Sequence, residues 1–199
     1  MISRESRQRY LIATVWVAIA LLAPPTLAQD GKKSFAMPGV VELGGSASYS
    51  YTQPVSNGTT SDGIHSVAVT PSIGYFVAEG LEIVANPLGF SFWKGSSTTV
   101  IDLRLLGGLA YNIRAQPGIY PFLEGLAGLT LRSVESGGAK TTVSGFSWGG
   151  RGGVKFAVTS HGMVNVGIQY LQITLNPSGA ESRSGTNELS ASAGFTVWL

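Results

Sequence analysis

From about Val40 onward, apolar and polar residues alternate at every second position, in eight stretches separated by Gly, Ser, Asn and Pro. Side chains leave a strand on opposite faces in turn, so period two predicts β-strands with one apolar and one polar face. The stretches are 40–52, 65–77, 81–93, 98–111, 119–132, 142–158, 163–174 and 186–199. In the first, Val41, Leu43, Ala47, Tyr49 and Tyr51 oppose Glu42, Ser46, Ser48 and Ser50. In the fourth, Ile101, Leu103, Leu105 and Leu109 oppose Asp102, Arg104 and Gly108. In the fifth, Leu123, Leu129 and Leu131 oppose Glu124, Thr130 and Arg132, and in the sixth Trp148, Val154 and Phe156 oppose Ser147, Arg151 and Lys155. The third stretch is the least regular. Its Asn86-Pro87 pair predicts a bulge, because proline has no N–H to give to a ladder.

Alternation alone also fits a soluble sandwich or a lipocalin-like barrel with its apolar face inward. Length and charge separate the readings. Several stretches reach 12 residues or more, whereas soluble strands usually have about 5–6 and a tilted membrane crossing needs about 9–11. The polar face carries ionised residues deep within the strands. An Arg or Lys facing lipid at the midplane would cost about 2–4 kcal/mol; facing an enclosed lumen, it can pair. The expectation is an interior network of Glu42, Asp102, Arg104, Glu124, Arg132, Arg151 and Lys155, with Arg104, Arg151 and Lys155 near Asp102, Glu124 and Glu42. The apolar face places Tyr49, Tyr51, Phe146, Trp148 and Tyr170 toward one end, and Tyr75, Tyr111, Phe156 and Phe195 toward the other. Two aromatic belts suit two headgroup layers.

Connectors 53–64, 94–97, 133–141 and 175–185 read as mostly longer loops, and 78–80, 112–118 and 159–162 as mostly shorter turns. An even strand number with long loops on one side is the layout of an outer-membrane barrel. Eight strands enclose a lumen only wide enough for side chains. It should be filled, with room beside its inward Gly and Ser for a narrow water path.

The first residues follow another pattern. Arg4, Arg7 and Arg9 precede an uncharged run, 10–23, too short for a bilayer core of about 30 Å. Pro24-Pro25 and the small residues of Thr26-Leu27-Ala28 complete a secretory signal peptide. The expected organisation is a signal peptide over 1–28, a short periplasmic segment over 29–39 and a barrel domain over 40–199. The whole chain has 13 Lys and Arg and 11 Asp and Glu; without the signal's three Arg and one Glu, ten of each remain. The neutral balance gives no basic surface for nucleic acid. Only 12% of residues are charged and 44% are hydrophobic, against a disordered chain. The absence of cysteine excludes disulfides, Cys-ligated zinc and thiol catalysis.

Three runs carry a resemblance: Pro38-Gly39-Val40-Val41-Glu42-Leu43-Gly44-Gly45, Pro71-Ser72-Ile73-Gly74-Tyr75-Phe76-Val77, and 146–156 with its Trp148-Gly149-Gly150-Arg151-Gly152-Gly153 centre. With the strand pattern over about 37–199, they resemble the small outer-membrane β-barrels, the OmpA/OmpX-type and opacity-like eight-stranded proteins. The resemblance implies an all-β fold, a closed antiparallel eight-stranded transmembrane β-barrel, in the outer membrane of a Gram-negative-type envelope. It implies outer-membrane lipids and lipopolysaccharide as surroundings, recognition of the C-terminal strand 189–199 by the barrel assembly machinery, and a monomer. Where such strands usually end in Phe, this one ends in Trp198-Leu199.

Candidate chemistry is sparse. His65 stands beside Ser66, but neighbours on a strand point to opposite faces and cannot form a catalytic pair. His161 falls in a short turn, and Asp102 with Glu124 is accounted for by interior ion pairing. The glycines around Arg151 lie within a strand, which is the wrong context for a phosphate loop. Asp62 and Glu181 fall in loops, where solvated acids are the rule. The reading is a non-enzymatic barrel with no catalytic, cofactor-binding or metal residues, and with an envelope-structural role or surface contacts through 53–64 and 175–185. The alternatives are a narrow porin-like channel for small solutes or ions, a lipid-modifying enzyme and a secreted lipocalin-like binder.

Overall fold

The computed structural model describes residues 34–56, 59–60, 64–94, 98–176 and 184–199. The segment expected as a signal peptide, 1–28, lies outside them. The strands are β1 (Val41–Ser56), β2 (Thr59–Thr60), β3 (Ile64–Ala78), β4 (Leu81–Lys94), β5 (Thr98–Asn112), β6 (Ile119–Ser136), β7 (Ala139–Ala157), β8 (Gly162–Asn176) and β9 (Ser184–Trp198). The short β2 only folds back on the tip of β1, where Val55 pairs with Thr60. The other eight form the wall. Each is antiparallel to its neighbour in sequence, and β1 pairs with β9 from Glu42–Trp198 to Val55–Gly185. The sheet is a closed up-and-down barrel, so its ring leaves no edge strand unpaired.

Burial follows the alternation, with the polar face enclosed. On β5 and β6, Asp102, Arg104, Glu124 and Thr130 are buried, while Leu105, Leu109, Leu123 and Leu129 are 56–68% exposed. A soluble protein could not carry such a surface around its whole girth. The outer face is a lipid-facing one, and all nine belt aromatics point outward.

Two departures from strand regularity shape the wall. The β4–β5 register slips between Asn86 and Gly89, around Pro87. The bulge absorbs the missing N–H and restores the facing, so that Phe90 and Phe92 point out and Ser91 points in. The second departure corrects the expectation of a loop over 133–141. There β6 and β7 remain paired up to Ser136–Ala139, joined by Gly137-Gly138 at φ 58° and 84°. Two central residues of positive φ make a tight turn whose twist matches the flanking strands. The segment is mostly polar because it extends past the hydrocarbon, and a polar, Gly-rich run reads as a loop.

The other unforeseen feature is residues 34–40, of which 34–39 belong to the segment expected as periplasmic and Val40 to the expected start of the barrel. Phe35, Ala36 and Val40 are buried against Phe76, Tyr120, Met163 and Trp198 at the turn end of the barrel. Pro38-Gly39 makes the entry possible. Val40 N donates to Met37 O at 3.2 Å, with Gly39 at φ 81°. This is a type II turn with proline and glycine in their preferred places, and it redirects the chain from the lumen mouth into β1.

The lipid-facing assignment predicts that Leu129→Arg lowers folding stability in vesicles by about 2–4 kcal/mol, measured as a shift in the urea midpoint. Nitroxides at Leu103, Leu129 and Val166 should be relaxed by oxygen and shielded from aqueous nickel chelates.

Candidate functional site

The polar faces of the eight wall strands converge on the lumen, where side chains stack in layers. At the turn end is the apolar cluster around Phe35. Above it, Lys155 Nζ on β7 donates to Glu42 Oε2 on β1 at 2.6 Å and stands 3.6 Å from Glu82 Oε2 on β4. Asn112 Nδ2 holds the same Glu82 oxygen at 2.9 Å. Beside this group, Arg151 Nη2 lies 2.6 Å from Glu124 Oε2. These two are direct cross-strand partners in the β6–β7 ladder, so register alone brings them together. Phe122 lies against both cations, its ring centroid 5.2 Å from Arg151 Cζ and 5.4 Å from Lys155 Nζ. A cation over an aromatic face is attracted by the ring quadrupole, more so when desolvated.

A third layer is apolar: Leu106, Leu126 and Leu171 meet at the axis. The fourth is ionic. Arg104 on β5 donates from both terminal nitrogens to Glu188 on β9, at 2.8 and 2.5 Å. Asp102 accepts from Arg104 Nη2 at 3.2 Å and from Arg132 Nε and Nη2, each at 2.8 Å. Arg132 Nη1 closes the chain on Thr186 Oγ1 of β9 at 2.9 Å. Bidentate arginine–carboxylate pairs combine charge with fixed geometry.

Among the described residues two cations thus make ionic crossings of the lumen, Lys155 to Glu42 and Glu82 and Arg104 to Glu188, each joining strands that are not neighbours in the sheet. All seven predicted interior residues lie here, and Arg104, Arg151 and Lys155 meet Asp102, Glu124 and Glu42 respectively. Sequence reasoning missed Glu82 and the role of Glu188. Glu82 sits in the irregular third stretch, but counting from the turn before Leu81 would have given its height, opposite Ala110 on the paired strand and two residues from Asn112. Its carboxylate occupies space that Gly74 leaves open: a Cβ there would overlap the Glu82 side chain.

Little free volume remains. A cavity of about 10 Å³ lies among Glu42, Glu82, Glu124, Arg151 and Lys155, about the minimum for one water. Glu124 Oε1 and Asn112 Oδ1 have no protein hydrogen-bond partner. Elsewhere in the lumen, Thr130 pairs with Ser147 at 2.5 Å and Asn165 with Thr196 at 3.1 Å.

The remaining candidates do not join this site. His65 faces outward and shares a 2.7 Å hydrogen bond with Tyr49 Oη, while Ser66 bonds Ser50 at 2.5 Å on the inner face. His161 lies in the β7–β8 turn, its Nδ1 3.0 Å from Ser160 Oγ. Asp62 and Glu181 are outside the described residues. Among the described residues, no cluster of three or more His, Asp or Glu is arranged to hold a metal ion.

No protein-family model matches the chain, and no curated protein sequence matches it. Solved structures do. Neisserial surface protein A is 20% identical and superposes with a TM-score of 0.61, over 78% of this chain and 96% of that one. OprG of Pseudomonas aeruginosa is 15% identical over 82% of this chain and 97% of that one, with a TM-score of 0.44. Ail, the attachment invasion locus protein of Yersinia pestis, is 14% identical over 80% and 99%, with a TM-score of 0.45. The likeness to the neisserial protein places this chain in the fold of the small eight-stranded outer-membrane barrels.

Asp102 is the most exposed to test, because it holds two guanidinium groups. Among the described residues, Asp102→Ala leaves Arg132 with Thr186 but no carboxylate, and Arg104 with Glu188 as its one carboxylate, in a buried layer. It should cost about 3–5 kcal/mol, read from chemical unfolding of the refolded barrel.

Proposed function

We propose that the protein is an integral outer-membrane barrel with a sealed, non-conducting lumen, and that it catalyses no reaction. Its role is envelope structure or surface contact through the loop-side end. The observation that carries this reading is the pair of ionic crossings through the lumen. Charges that bridge opposite walls fill the path a solute would take. They also brace the ring, which suits a structural role. The apolar outer belt supports an envelope of outer-membrane lipid and lipopolysaccharide. The run Leu189, Ala191, Ala193, Phe195, Val197 and Leu199 on β9 supports recognition by the barrel assembly machinery. Closure of β1 on β9 supports a monomer.

A narrow porin-like channel is the competing role, favoured by the polar cavity beside Arg151. Planar bilayers separate the two. The refolded wild type should give no stable unitary steps, and Arg151→Ala, which opens the cavity toward Phe122, should give small intermittent ones. Sustained steps from the wild type would establish the channel instead. Lipid A mass spectra should be the same with and without expression; a new species would establish a lipid-modifying enzyme.

A further inference from the structure

Phe35 lies on the barrel axis. Its ring meets Phe76 of β3, Tyr120 of β6 and Trp198 of β9 edge-on, at centroid distances of 5.1, 4.8 and 5.5 Å. Lys155 Nζ, from β7, stands 5.1 Å from its centroid. One side chain can touch residues from strands so spread around the ring only from inside the lumen, and Phe35 is 1% exposed. Specific backbone bonds hold the segment. Gly80 N donates to Ala36 O and Gly39 N to Phe76 O, both at 2.8 Å, and Arg114 Nη2 reaches Phe35 O at 3.4 Å. Ala36 sits at φ 66°, a left-handed conformation unfavourable for a residue with a Cβ. A segment resting loosely below the barrel would relax out of it, so the inserted state holds it there.

We propose that residues 34–40 form an autoinhibitory plug: Phe35 fills an aromatic pocket in the turn-side lumen, and its withdrawal opens that end to water and small cations. The proposal rests on the sealed-lumen reading and extends it to a part that can move. Phe35 is carried by no wall strand, so it can leave while the ladder of the ring stays intact. The ionic crossings cannot leave in this way, because their side chains belong to the wall. Behind the plug is the chamber of Glu42, Glu82, Glu124, Arg151 and Lys155. Three carboxyl groups and two cations line it, a set with no net positive charge to repel small cations.

The chain has no cysteine, so Ser72→Cys, at the chamber wall on β3, supplies a single thiol. Its reaction with a charged, membrane-impermeant methanethiosulfonate is followed in refolded protein, with heat-modifiable gel mobility as the check on folding. With Phe35 in place the thiol should react slowly. Phe35→Ala should speed it at least about tenfold by lowering the cost of opening that end. Equal, slow rates in both backgrounds would overturn the plug and leave the sealed lumen standing. Fast labelling with Phe35 in place would overturn the sealed lumen itself. Should Phe35→Ala not fold, Phe35→Leu keeps the apolar fill without the ring contacts; an increase of about threefold is expected, and no increase overturns the plug.

Discussion

Closure of the ring around a polar face is the constraint from which the interior follows. An eight-stranded barrel has no room for bulk water at its axis, so every ionised group on the inner face must find its counter-charge in protein. The wall itself provides some pairs: Asp102 faces Arg132, and Glu124 faces Arg151, at matching positions on adjacent strands. Other pairs have to cross the lumen. Lys155 and Arg104 do so because each has a stem long enough to reach the axis and a carboxylate at the same height on a non-adjacent strand. Buried pairs of this kind add little net stability over an apolar filling, but loss of one partner is severe. Their effect is to fix which strands stand opposite one another.

Bulky lumen groups need space, and Gly74 on β3 and Gly153 on β7 provide it. Phe122 lies where a Cβ on Gly153 would meet its ring edge, and Glu82 lies where a Cβ on Gly74 would fall. The same sequence feature therefore has two readings. Inward glycine suggests an empty lumen when counted along one strand. In the assembled ring, those positions accommodate large side chains of the adjacent strands. A cavity of about 10 Å³ remains beside them in the turn-side lumen.

The fold was legible because period two is a local signal, and strand length with interior charge decided which face met lipid. Parity was enough to send all seven named ionic residues inward. It was not enough to identify partners across the lumen. Glu188 lies in the eighth alternating stretch, but its arginine is 84 positions away and the match depends on height in the closed ring. Glu82 was lost to the bulge at Asn86-Pro87, which breaks the count. Phe35 was invisible to periodicity altogether: it belongs to no alternating stretch, and one aromatic beside Lys33 and Ser34 carries no signal of burial. The available clue was Pro38-Gly39, a turn immediately before the first strand, which requires the chain to double back toward the barrel mouth.

The two ends of the lumen are closed by different physics, and the difference links them. Toward the loops the closure is ionic, with Arg104 and Arg132 hydrogen-bonded to the carboxylates of Glu188 and Asp102. At the turn end it is apolar and aromatic. The strength of a buried ion pair depends on the local dielectric, and the apolar end keeps water from Lys155 and its two carboxylates. Hydration of that chamber would weaken the crossing from Lys155 to Glu42 and leave the cross-strand pair of Glu124 and Arg151 held by the ladder. The crossing nearest the turn end is thus conditional on the aromatic cluster beneath it. The upper one, separated from it by the Leu106, Leu126 and Leu171 layer, is insulated from the same event.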